Sequence, residues 1–237
     1  MSKTYKKQEI IEMCENASKD MRNFYKGNFV NYKGKAKEGE FYTEIVAEWL
    51  LKNKSLFDKI ASIERSTSYK VEGHSGKTYR ESNRKEEITA KQLFTAAKDY
   101  EGFGKIIDYQ TPLKNPGGKN NDGLGKIDLL TQNDKNKSVY ILELKKVDSD
   151  DTMLHCVLEA YTYLRIIAKE KLLNDFKIPT YHGIELLNNA NSTIKRIVFI
   201  NSNHTIDKKE EQIELAKILL NEDEKNERFN YCNIYKQ

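Results

Sequence analysis

Apolar residues recur along this chain with two periods, and the change from one to the other divides it. In the first stretch, residues 5–25, Ile10, Cys14, Ala17, Met21 and Phe24 fall three or four apart, which predicts one amphipathic helix closed by Gly27. A basic loop, NFVNYKGKAKEG, leads to a second helix expected over residues 40–52. Phe41, Ile45 and Trp49 form one stripe of it and Tyr42, Val46 and Leu50 the next, so the aromatics read as core; Glu40, Glu44 and Glu48 form a solvated stripe beside them. Residues 60–80 alternate weakly and place His74-Ser75-Gly76-Lys77 at the tip of a hairpin between residues 69–71 and 78–80. A third helix, capped by Ser82 or Asn83, buries Ala90, Leu93, Phe94 and Ala97.

Strand patterns then take over. Residues 105–113, 126–131 and 139–144 read as three strands. A helix follows through residue 169 with Leu154, Val157, Leu158, Tyr161 and Leu164 inward, expected to pack across the sheet. Residues 193–201 supply a fourth strand, 208–220 another amphipathic helix, and the tail RFNYCNIY a last strand. Helices alternating with strands after residue 84 predict an α/β sheet with helices on both faces. Residues 1–80 are then a mostly helical elaboration, with one hairpin, packed on a core of residues 81–237.

Composition changes little in this picture. With 237 residues the chain can bury a sizeable core, and at 38% hydrophobic and 32% charged it has no run near the ~20 apolar residues that span a bilayer. Its start, MSKTYKKQEII, lacks an apolar signal region, so a cytoplasmic protein with no membrane partner is expected. Cys14, Cys156 and Cys232 make no Cys-x-x-Cys pair, and His74, His155, His182 and His204 make no His-x-x-x-His pair, which argues against disulfides and a zinc hydrolase. A net charge of +4 in so lysine-rich a chain decides nothing about nucleic acid.

Chemistry concentrates between residues 125 and 145, GKIDLLTQNDKNKSVYILELK. Side chains alternate along a strand, so Glu143 and Lys145 share one face at the end of the run Val139, Ile141, Leu142, Leu144. The preceding strand brings Asp128 alongside through a polar loop. A buried carboxylate costs several kcal/mol unless it is paired or binds a cation, and two of them converging beside a lysine call for a divalent metal. A structural Asp/Glu/Lys cluster is the competing account; against it, Glu143 is the only glutamate with lysine two positions later, and it lies in the most strand-like run of the chain.

This segment resembles the PD-(D/E)XK nuclease superfamily, with Ile127 in place of the motif's proline. Gly-x-Ile-Asp-Leu-Leu followed by an apolar strand and Glu-Leu-Lys is similar to its RecB-like and archaeal mismatch-nuclease branches. The resemblance implies a restriction-endonuclease-like core (helix, three strands, helix, strand) over roughly residues 84–200. It also implies Mg²⁺-dependent hydrolysis of phosphodiesters, most naturally of DNA, with Mn²⁺ as the alternative ion. Asp128, Glu143 and the Leu144 carbonyl would hold the metal, and Lys145 would orient or help deprotonate the attacking water. Since lysine's ordinary pKa is about 10.4, the base role needs a lowered value. The family's helix glutamate corresponds to Glu87, with Glu86 next to it, although both also suit the positive end of the helix dipole. Glu159 and Tyr163 look similar to the Gln-x-x-x-Tyr of RecB-like members, and equally to an ordinary surface pair.

Phosphate contacts are expected from Lys114, Lys119 and Lys126, which flank a turn-rich loop emptying into the Asp128 strand. Lys77 and Arg80 on the hairpin either grip phosphate or guard a strand edge against aggregation. The alternative function is a nuclease-like module that binds nucleic acid or assembles a complex without cleaving; a homodimer or larger assembly suits either.

Overall fold

The computed structural model describes residues 3–74, 85–100, 103–115, 123–135, 137–144, 150–178 and 194–200. In chain order the helices are α1 (Lys7–Ala17), α2 (Tyr42–Lys52), α3 (Lys85–Thr95), α4 (Met153–Ile166) and α5 (Lys169–Asp175). The strands are β1 (Asp99–Tyr100), β2 (Gly104–Pro112), β3 (Lys126–Asn133), β4 (Ser138–Leu144) and β5 (Ile194–Ile200). The architecture is mixed α/β. Two compact units share these elements: described residues up to 61 with 150–166, and described residues 62–144 with 167–178 and 194–200. The expected helix at 208–220, the last strand and Cys232 lie outside the described residues.

The first unit is helical. Its apolar spacing holds where the predicted helix does not: α1 stops at Ala17, and 3-10 turns at Ser18–Asp20 and Phe24–Lys26 carry Met21 and Phe24 into the core beside Ile10 and Cys14. Ser18 Oγ bonds back to the Glu15 carbonyl and Asn23 Nδ2 to Asp20 Oδ2, local side-chain bonds that compete with a continuing helix. Phe24 stacks on Trp49 and meets Phe29 edge-on, so the expected aromatic stripe is core. A Cβ on Gly27 would stand 2.3 Å from the Phe29 ring, which is why this bend takes glycine.

Glu48 and Glu40 are not merely solvated. Lys7 Nζ reaches Glu40 at 2.8 Å and Glu48 at 3.4 Å, tying α1 to the start and body of α2. The Glu40 bond, ahead of the Glu48 charge, raises the Lys7 pKa; for a pair this exposed the gain is at most about 1 kcal/mol. The entry to α4 is clasped by Asn31, whose Oδ1 accepts the Thr152 N–H and whose Nδ2 donates to Asp151. The inward face of α4 buries Leu154, Val157, Leu158 and Tyr161, with Tyr161 edge-on to Phe57 and Tyr163 edge-on to Tyr25. Beyond Ile166 the expected single helix breaks, and α5 is a separate element in the second unit.

The second unit is a sheet in the order β1-β2-β3-β4-β5, antiparallel from β1 to β4, with β5 parallel to β4. Helix α3 packs on β2 and β3, and Ala90, Leu93 and Phe94 meet Tyr109, Leu129 and Leu142 as the periodicity predicts. Ala97 does not: α3 ends at Thr95, and Ala97 sits exposed in a left-handed turn (φ 50°). That turn makes room for β1, which the sequence pattern did not announce. Gly104 permits it, because its φ is +78° and a Cβ there would stand 2.2 Å from the Gln132 carbonyl oxygen.

Residues 62–74 cross the unit as an irregular segment held by side chains. Arg65, buried and stacked over Tyr69, donates to the carbonyls of Lys114 and Ser68. Asn115 bonds Ser66 and the Glu64 carbonyl; Asp175 accepts the Tyr69 N–H, and the Tyr69 hydroxyl accepts the Ala168 N–H. The expected hairpin arm at 69–71 forms no strand, and the other arm lies outside the described residues.

Candidate metal centre

Three adjacent strands converge on Asp128. It lies in β3, two residues after the exposed Lys126, and is 9% exposed. Leu129 pairs with Leu142, and one further step of that antiparallel register sets Asp128 opposite Glu143. Directly opposed residues share a face with Cβ atoms about 5 Å apart. Glu143 is 4% exposed, so both carboxyl groups are buried side by side. On the other flank, Tyr109–Leu129 and Thr111–Ile127 bracket Gln110 opposite Asp128.

Hydrogen bonds fix the aspartate from both flanks. Gln110 Nε2 donates to its Oδ1 at 2.8 Å, and the Leu144 N–H donates to its Oδ2 at 2.8 Å. A carboxylate oxygen can accept at two lone pairs. Two buried carboxylates, that of Asp128 oriented by two hydrogen bonds, supply hard oxygens that fit Mg²⁺ or Mn²⁺, since Mg²⁺ is ordinarily held by one or two carboxylates with water and substrate phosphate completing its shell. Among the described residues no group of three or more His, Cys, Asp or Glu side chains is placed to hold a metal ion. The Leu144 backbone is at the site through its N–H.

Glu86 and Glu87 both sit half-buried in the first turn of α3. Burial first, then the charges of Asp108 and Glu87, push the Tyr109 phenol up, which places the Glu87 charge near β2. Lys114 is exposed just beyond β2, where its carbonyl is taken by Arg65, and Pro112 pairs with Lys126; both lysines are therefore at the strand ends near Asp128. Lys145, Lys119, Lys77 and Arg80 lie outside the described residues, Lys145 immediately after β4. Tyr163 donates to Glu159 at 2.8 Å within α4, the i, i+4 pair that helical spacing predicts.

Sequence reasoning missed Gln110, Asp108 and His74. Asp108, on β2, is 2% exposed; its Oδ1 lies 2.7 Å from His74 Nδ1 and its Oδ2 accepts Thr111 Oγ1 at 2.7 Å. A polar residue inside the strand pattern KIIDYQTPL was the available signal. No protein-family model, curated protein or solved structure matches this chain.

Proposed function

We propose that the second unit carries a metal-dependent hydrolase centre, and more particularly a phosphodiesterase of the PD-(D/E)XK nuclease kind acting on nucleic acid, DNA before RNA. The observation that carries this reading is the buried pairing of Asp128 with Glu143, held from one side by Gln110 and from the other by the Leu144 N–H. Within the second unit, α3 followed by the antiparallel meander β1-β2-β3-β4 and by β5 parallel to β4 supports a restriction-endonuclease-like core.

Asp128 and Glu143 would hold Mg²⁺ or Mn²⁺ together with the Leu144 carbonyl. When bound, the ion polarises the scissile phosphate and makes its water a better nucleophile. Lys145, two positions after Glu143 in the sequence, would orient that water and offset the charge developing on the phosphate. Lys114 and Lys126 meet the phosphates of the flanking strand, with Lys119, Lys77 and Arg80 extending that contact. Glu87 acts at the margin of the site through its water network. No helix among the described residues is long and apolar enough to cross a membrane.

Incubation with labelled single- and double-stranded DNA and RNA, in Mg²⁺, Mn²⁺ or EDTA, tests this. Cleavage that needs the metal and disappears in Asp128→Ala is the expected result. Binding of nucleic acid without cleavage under any ion would replace the enzyme with the non-cleaving module.

A further inference from the structure

Residues 62–74 form no strand, yet one short part of this segment grips the chain where it leaves β2. Arg65 Nη1 donates to the Lys114 carbonyl. Asn115, the next residue, bonds back to the same segment: its Oδ1 accepts the Ser66 N–H at 3.0 Å and the Ser66 hydroxyl at 3.3 Å, and its Nδ2 donates to the Glu64 carbonyl at 2.9 Å. Four hydrogen bonds thus hold two consecutive residues just after β2 ends at Pro112, where the turn-rich sequence NPGG begins.

The residue at the middle of this clamp is an unfavourable one to bury. Arg65 is 6% exposed, its Nη2 donates to the Ser68 carbonyl, and its guanidinium carbon lies 4.8 Å from the Tyr69 ring centroid. Nε is buried with no acceptor, and among the described residues no carboxylate is within ion-pair reach of the group. Burial lowers its pKa against the charges of Tyr69 and Asp175, and Asp175 is itself engaged by the Tyr69 N–H and by Lys171. A buried cation with neutral carbonyls for partners is a poor device for stability, but its rigid fork fixes two carbonyls in one geometry. What that geometry fixes is a lysine. Pro112 pairs with Lys126, two residues before Asp128, and the exposed Lys114 follows two residues later. Four residues separate it from Gln110, the residue opposite Asp128, so it stands no more than about 13 Å of chain from that position. That reach suits a phosphate beside the scissile one, and a backbone already ordered there lowers the cost of ordering it on binding.

We propose that Arg65 and Asn115 are positioning residues for substrate: by clamping the chain after β2 they hold Lys114 where its ammonium neutralises a phosphate flanking the scissile bond of a nucleic-acid strand bound at Asp128 and Glu143. The inference rests on the nuclease reading above. Neither residue touches the reacting atoms, so their effect falls on binding and passes through Lys114.

Steady-state cleavage across a salt series tests this, with Mg²⁺ or Mn²⁺ and whichever labelled single- or double-stranded DNA or RNA the wild type cuts fastest. Asn115→Ala and Arg65→Lys should each raise KM about 2–5-fold at low salt, the worth of one exposed ion pair, and keep kcat within about twofold. In both, log KM should climb less steeply with log salt, the slope falling by about 1 as it does in Lys114→Ala. Asn115→Ala should add nothing further in a Lys114→Ala background. Should Arg65→Lys fail to fold, Asn115→Ala decides alone, since it removes three of the four bonds at a half-buried residue. A merely structural clamp would lower Tm while leaving the salt slope at its wild-type value. A wild-type slope in Lys114→Ala or Asn115→Ala, or losses that add in the double variant, would overturn the proposal. Wild type that cuts none of the substrates brings down the nuclease reading and this inference with it, a result distinct from any phenotype of the variants.

Discussion

Gln110 donates to Asp128 Oδ1 at 2.8 Å from a backbone in the left-handed region, φ 50°. A side chain held at a strained position against a buried acid is a positioning residue, and glycine separates its two contributions. Gln110→Ala removes the amide and keeps the strained Cβ, whereas Gln110→Gly also removes the Cβ and so relieves a conformation costing roughly 1 kcal/mol. Both variants should weaken Mn²⁺ binding about 10–100-fold in calorimetric titration, as loss of an outer-shell partner does. In urea melts the alanine variant should be less stable than the glycine variant by about 1 kcal/mol.

Divalent ions should stabilise the fold through the same centre. At a concentration of about 100 times Kd the expected gain is near 2.7 kcal/mol, visible as a rise in Tm. Asp128→Ala and Glu143→Gln should abolish the rise. Lys145→Ala should lose cleavage yet keep or improve Mn²⁺ affinity, because it deletes a positive charge beside the ion without removing a ligand. No Tm rise in the wild type at millimolar Mn²⁺, with nucleic acid present, would count against the metal site.

On the proposed reading the two α3 glutamates should separate by function. Glu87→Gln should slow cleavage, whereas Glu86→Gln should lower stability by no more than about 1 kcal/mol, the worth of a carboxylate at a helix start. If both variants cut normally and merely melt earlier, α3 contributes no group to the chemistry.

Gly104→Ala tests the sheet itself. With φ +78° and the Gln132 carbonyl 2.2 Å from the new Cβ, either β1 detaches or β3 shifts. A loss of about 3 kcal/mol in urea unfolding is expected, from combined strain and overpacking. A loss below about 1 kcal/mol would mean that the β1 corner is soft.

Cys14 gives the first unit a pH signature. Burial, helped by the Glu15 charge, pushes its thiol from 9.0 up to about 12. The unfolded chain releases this proton first, so the contribution to stability is intact below about pH 9 and falls as pH rises toward about 12. Wild type should therefore lose more stability between pH 8 and 10.5 than Cys14→Ala does. The thiol should also resist iodoacetamide at pH 8 until the chain is unfolded; rapid labelling of native protein would refute its burial.

What the sequence by itself determined is whatever depends on local periodicity. The spacing of Ile10, Cys14, Met21 and Phe24 marked core residues even where Ser18 and Asp20 ended the helix, because burial is set by which side of the backbone a residue faces. The alternation around Asp128 and Glu143 put them on β3 and β4, and antiparallel register then placed them opposite one another. Tertiary structure alone decided what reaches the site from a distance. Gln110 meets Asp128 only because β2 pairs with β3 in one register, displaced by an irregularity between Ile106 and Asp108. His74 reads in sequence as part of a turn, yet it is brought to Asp108 across 34 positions by a segment that Arg65 and Tyr69 pin in place. Such contacts leave no periodic trace, since a hydrogen bond between distant side chains constrains two positions and not the pattern around either.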